Sequence, residues 1–232
     1  EQLLALAGAV RQAGSVDEGT ARTDWLDVER RRGISVKTAC ASILWQGCRI
    51  NLVDTPGHMD FAGEVERCLG VLDGVVLVLS AVEGIQAQTE AIWKAVRRLR
   101  LPALFLINKI DRAGADTAGL IQQLKQAFSA DILPIQRVLG EGSEECQVEN
   151  FSLAEEDFRE TCWVNASRWD EGLEAAYLEE QPVTDEQIEK SIRRGAAAGE
   201  IFPLFYSSAK KGIGMKPLLQ GMVDFLPSAG GR

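Results

Sequence analysis

Four short runs of this chain are almost unbroken in apolar character: CRINLVD at 48–54, GVVLVLS at 74–80, PALFLIN at 102–108 and FPLFYSS at 202–208. A strand covered on both faces needs apolar side chains at successive positions, not only at alternate ones. Between these runs lie stretches with helical spacing at 59–69, 86–99 and 115–129. Strands alternating with helices of that length predict an α/β fold, a mostly parallel sheet flanked by helices. TACASILW at 38–45 is predicted to pair with 48–54 across Gln46 and Gly47, which would add one antiparallel edge strand.

The stretch from 139 to 199 breaks the rhythm. It opens with acidic EGSEECQVEN and LAEEDF, then turns helical around 171–180 and 185–197. It reads as a helical insertion, not a separate domain. After a last helix the chain loosens at Pro227 into small residues, as a linker would. The expected organisation is one domain over 1–226, with a helical insert at 140–200, and a linker at 227–232.

The bulk numbers narrow the class. A chain of 232 residues, 46% hydrophobic and 25% charged, supports a sizeable core. Its longest apolar run, GVVLVLSAV at 74–82, is too short to span a bilayer, so no membrane is expected. Five cysteines without CxxC spacing predict reduced buried thiols and a cytoplasmic location. The net charge of −9 argues against a general nucleic-acid binder, though a local basic patch could still dock on RNA.

Chemistry concentrates at the strand ends. In open α/β sheets, ligands bind beyond the carboxyl ends of the strands. Asp54 stands at such an end and is followed by the turn TPG. A carboxylate there can hold the water shell of Mg²⁺. Gly57 has no side chain, so its N–H can approach a terminal phosphate. His58, the only histidine, opens the next helix, where it could orient a water for attack on that phosphate. A plain turn or N-cap is the alternative use of a lone DxxG.

NKID follows the run ending at Asn108. Asn108 and Lys109 would brace a nucleotide pocket, with the lysine stem along the base. Asp111 would accept from guanine N1–H and its exocyclic amine. Adenine lacks that donor pair, a mismatch worth a factor on the order of 10⁴. SSAK, at 207–210, follows the last strand. There Ser208, Ala209 and Lys210 would line the base, with the backbone N–H groups of Ala209 and Lys210 near guanine O6. ERRRGIS, at 29–35, offers the Ser35 hydroxyl as a Mg²⁺ ligand in a loop that would order around γ-phosphate.

With RRGIS, DTPGH, AVEGIQAQTE and NKID in this order, the chain resembles the guanine-nucleotide domain of translational GTPases of the elongation factor G superfamily. GSVDEGTARTD and VERRRGIS, with the moderate insert, are most similar to the tetracycline-resistance ribosomal-protection proteins. The resemblance implies a P-loop-NTPase-like fold, GTP and GDP as ligands, Mg²⁺ as cofactor and a GTP hydrolase. It also implies a monomer acting on the ribosome, at the RNA and proteins near the factor-binding site. His58 would be catalytic, and Ser35 and Asp54 would face the metal. Ser35 departs from the family's usual threonine, keeping the hydroxyl and losing a methyl.

The phosphate-binding loop GxxxxGK(S/T) is absent. In the family it immediately precedes the helix that EQLLALAGAV resembles. The chain is therefore expected to begin just after its P-loop and to stop before later domains. Three readings follow: a tetracycline-releasing ribosomal GTPase, an elongation factor G-like translocase, or a non-catalytic ribosome-interaction fragment.

Overall fold

The computed structural model describes residues 1–10, 14, 37–57 and 62–228. Ser35 and His58 lie outside the described residues.

Four strands form a fully parallel sheet: β3 (Val75–Ser80), β4 (Ala103–Asn108), β8 (Phe202–Tyr206) and β5 (Ile132–Pro134), in the order β3-β4-β8-β5. The last strand in sequence thus lies between two earlier ones. Register sets Ser80 beside Asn108, and Ile107 beside Tyr206, so the three main strands end at one edge of the sheet.

β4 and β8 are covered on both faces, as their continuous apolar runs predict, whereas β3 leaves Val78 exposed and the run 48–54, expected to be covered too, lies outside this sheet with Cys48, Arg49, Asn51 and Asp54 exposed. On one face Leu77, Leu79, Phe105, Ile107 and Leu204 pack under α2 (Ala62–Leu69), α3 (Ala87–Arg98) and α4 (Thr117–Ala127). Trp93 of α3 stacks 5.5 Å from Phe128 and meets Phe202 edge-on at 5.0 Å. On the other face Leu104, Leu106 and Phe205 pack against α1 (Gln2–Leu6) and α8 (Met215–Phe225). Phe105, Leu104 and Phe205 are at most 1% exposed. Complete burial of such a side chain contributes about 1.5–3 kcal/mol.

The hairpin of β1 (Ala39–Trp45) and β2 (Cys48–Asp54) forms as expected. Gln46 (φ 47°) and Gly47 (φ 81°) supply the two left-handed residues of its tight turn. It is not an edge strand of the main sheet, however. It makes a separate two-stranded sheet and packs Ile43 and Leu52 beside Leu104 and α8. Among the described residues, β2 and β3 each have one edge without a strand partner.

Three cysteines differ from the expectation of buried thiols. All five are free, but only Cys146 and Cys162 are buried; Cys68 is half-buried, and Cys40 and Cys48, on the hairpin, are exposed.

The stretch 140–200 holds α5 (Glu156–Ser167), α6 (Glu171–Leu178) and α7 (Asp185–Ala198). It also holds one strand of a short hairpin, β6 (Gln136–Leu139) with β7 (Gln147–Asn150). Helix starts are capped: Thr184 and Gln187 exchange bonds at α7, and Asp170 accepts from Gly172 at α6. The three helices share their own apolar cluster, including Ile188, Cys162 and Ala166, which joins the sheet through Leu133 and Ile201. No described helix is long and apolar enough to cross a membrane.

Candidate functional site

At the carboxyl edge of the main sheet, two chain segments remote in sequence are tied together by one side chain. Asn108, the last residue of β4, accepts at its Oδ1 from the Ser207 hydroxyl (3.1 Å) and from the Ala209 N–H (2.9 Å). Backbone bonds reinforce the tie: Ile110 N–H to Ser207 carbonyl at 3.3 Å, and Ser207 N–H to Ile107 carbonyl at 2.8 Å. Each such bond contributes about 1 kcal/mol.

Behind the tie, Ser208 and Ile213 close the turn that carries Ala209–Lys211. Gly214 ends it with φ 78°, and a Cβ there would lie 2.0 Å from the Tyr206 carbonyl oxygen. Only glycine lets the turn pass this close to β8.

Lys109 follows in the left-handed region at φ 66°, a conformation that costs a non-glycine residue and persists only where its surroundings enforce it. Its Nζ lies 3.0 Å from Glu83 Oε2. The Lys109 ammonium, then the Ser80 hydroxyl, hold the Glu83 carboxyl below the usual carboxylate range. The Ser80 hydroxyl also accepts from the N–H groups of Val82 and Glu83. An open cavity of ≈ 220 Å³ lies here, lined by Ser80, Glu83, Gly84, Thr89, Asn108 and Lys109 among others.

Asp111 is half-buried, and no described residue hydrogen-bonds its carboxylate. Ser208 is 1% exposed, and its hydroxyl is without a partner among the described residues. A bound base with N–H and carbonyl groups would suit this edge, which offers an open carboxylate and an unsatisfied hydroxyl. Lys210 is exposed beside them.

The structure therefore gathers Asn108, Lys109, Asp111, Ser208, Ala209 and Lys210 at one edge. It places Asp54, exposed, and Gly57 at the exit of β2, on the separate hairpin. No group of three or more His, Cys, Asp or Glu side chains among the described residues could hold a metal ion. A Mg²⁺ held largely by phosphates and water needs no such cage.

Two residues that matter here lie in the stretches SSAK and AVEGIQAQTE, but the sequence assigned neither a role. Ser207 makes the hydroxyl contact to Asn108, and Glu83 holds Lys109. Glu83 lies in AVEGIQAQTE, a stretch whose chemistry is silent until the fold brings it to Lys109.

Comparison with known proteins shows the family. Residues 1–228 match the family model of the elongation factor Tu GTP-binding domain. The tetracycline resistance protein TetM of Streptomyces lividans is 40% identical over 229 residues, 99% of this chain and 35% of the relative. TetW of Butyrivibrio fibrisolvens is 36% identical over 230 residues, again 99% of this chain and 35% of the relative. Elongation factor G 1 of Treponema denticola is 34% identical over 255 aligned residues, 98% of this chain and 37% of that protein. A crystal structure of a Thermus thermophilus protein superimposes with a TM-score of 0.86 at 32% identity, covering 98% of this chain and 38% of that one. The chain thus spans little more than a third of the length of these relatives. It belongs to the elongation factor Tu GTP-binding domain family and is a GTP-binding domain of the translational-GTPase type.

Proposed function

We propose that the chain is the nucleotide-reading and hydrolysing unit of a ribosome-dependent GTPase that protects ribosomes by releasing tetracycline. The observation that supports its nucleotide chemistry is the Asn108 tie to Ser207 and Ala209, which, with the Ile110 N–H bond to the Ser207 carbonyl, joins the segment leading into Asp111 to the turn after β8. Asp111 then accepts from guanine N1–H and the exocyclic amine, and Ala209 and Lys210 face O6. Asn108 and Lys109 frame the pocket. The similarity to TetM and TetW supports the drug-releasing reading. The similarity to elongation factor G 1 supports translocation as the second reading.

On the phosphate side, Asp54 and Ser35 hold Mg²⁺, Gly57 approaches the γ-phosphate and His58 orients the attacking water. When bound there, Mg²⁺ would neutralise phosphate charge. The protein works as a monomer in the cytoplasm, with the ribosome as its activating partner.

The test is base preference in the protein translated from its whole reading frame. Asp111→Asn shifts preference from GTP toward xanthosine triphosphate, by a factor on the order of 10² or more. Unchanged GTP preference sinks the base-reading assignment. Drug release is read separately, as GTP-dependent loss of labelled tetracycline from ribosomes.

A further inference from the structure

The loop between β6 and β7, residues 140–146, reaches three parts of the base-side edge. Gly142 N–H donates to the Ile110 carbonyl at 2.9 Å, immediately before Asp111. The Glu141 carboxylate accepts from Thr117 N–H at 2.7 Å, at the start of α4. The Lys211 ammonium, next to Lys210, donates to the Glu144 carbonyl at 2.7 Å. At the far end of the loop Cys146 is buried, and burial followed by the Asp111 charge pushes its thiol up. The hairpin does not need these bonds to close, because its own ladder runs from Gln136↔Asn150 to Leu139↔Gln147. They run outward, to the Asp111 segment on one side and to the turn after β8 on the other.

We propose that the 140–146 loop is a positioning element for guanine selectivity, fixing the separation between the Asp111 segment and the Ala209–Lys211 turn. The inference rests on the base-reading role of Asp111 proposed above. A carboxylate that must meet two donors at once tolerates misplacement of only about 0.5 Å. Asn108 ties the start of the Asp111 segment to the turn, and the loop ties it again at Ile110. Its acidic composition, which by itself reads as solvated surface, therefore sits over a set of backbone contacts.

Gly142 allows a clean test. Its φ is +75°, and a Cβ there meets nothing closer than the Arg112 carbonyl oxygen at 3.6 Å. Alanine fits the space but not the backbone conformation, whereas asparagine tolerates the left-handed region.

The experiment compares GDP with inosine diphosphate, which lacks only the exocyclic amine, and with ADP. It uses the protein from its whole reading frame. Gly142→Ala is expected to lower the preference for GDP over inosine diphosphate roughly fivefold to tenfold, the equivalent of weakening one hydrogen bond. Gly142→Asn restores most of it. Lys211→Met, a surface change that removes the Glu144 contact, lowers the preference less and in the same direction. A drop in melting temperature with the GDP-to-inosine diphosphate ratio unchanged in both Gly142→Ala and Lys211→Met overturns the inference and leaves Asp111 as base reader. A wild-type protein with no preference for GDP over ADP overturns both.

Discussion

The ends of β4 and β8 and the hairpin that carries Asp54 are held in place by different means. The base side is assembled from the ends of β4 and β8, neighbours in one parallel sheet covered on both faces. Its side chains are fixed to one another, Asn108 to Ser207 and Ala209, and Lys109 to Glu83. The hairpin carries Asp54 on a sheet of its own, held by apolar packing of Ile43, Ile50 and Leu52. The ends of β4 and β8 thus form a frame of polar side-chain bonds, and the hairpin carrying Asp54 is held to the rest by apolar packing.

The sharpest test uses two glycines with the same handedness. Gly214→Ala sets a Cβ 2.0 Å from the Tyr206 oxygen and should cost more than about 3 kcal/mol. Gly47→Ala, also at positive φ but with nothing within 4 Å, should cost about 1 kcal/mol. Urea midpoints read both, and equal losses would break the comparison.

Next in size, Asn108→Ala leaves the Ala209 N–H without its acceptor. It should cost about 2 kcal/mol and weaken GDP binding, with Asn108→Asp recovering part of the stability. Calorimetry and nucleotide titration separate the two effects.

The smallest effect belongs to Glu83→Gln. The pair with Lys109 is solvent-facing, with the Glu83 side chain 52% exposed, so it should contribute under about 1 kcal/mol. The sign follows from the lowered carboxyl. The unfolded chain takes up the proton first, so the contribution is present above about pH 4.5 and disappears as pH falls through the lower folded value. The stability gap between wild type and Glu83→Gln should therefore close on acidification, and a gap that widens refutes the assignment.

β4 and β8 were legible because both their faces are buried, so each wrote itself as a continuous apolar run. β5 was not legible: three residues, Ile132–Pro134, are too few to show a period, and only pairing with β8 makes them a strand. The β6–β7 hairpin was hidden by its polar composition, since Glu149 and Asn150 face solvent. α5 was masked in the same way by its acidic start, Glu156 and Asp157. At the site, Asn108, Lys109 and Asp111 were readable as one short motif. Ser207 and Glu83 were not, because their bonds join positions 99 and 26 residues apart. Nothing local in sequence records a contact of that span.

The position of β8 between β4 and β5 bears on how the protein is made. A ribosome synthesising this chain releases β4 and β5 first, then all of α5, α6 and α7, before the strand that joins them. At about 5–20 residues per second, the nascent sheet waits several seconds with two facing edges open. Such edges recruit other strands, so this interval is when chaperones would be most needed. The turn that follows β8 and is tied to Asn108 is therefore among the last parts of the domain to be completed.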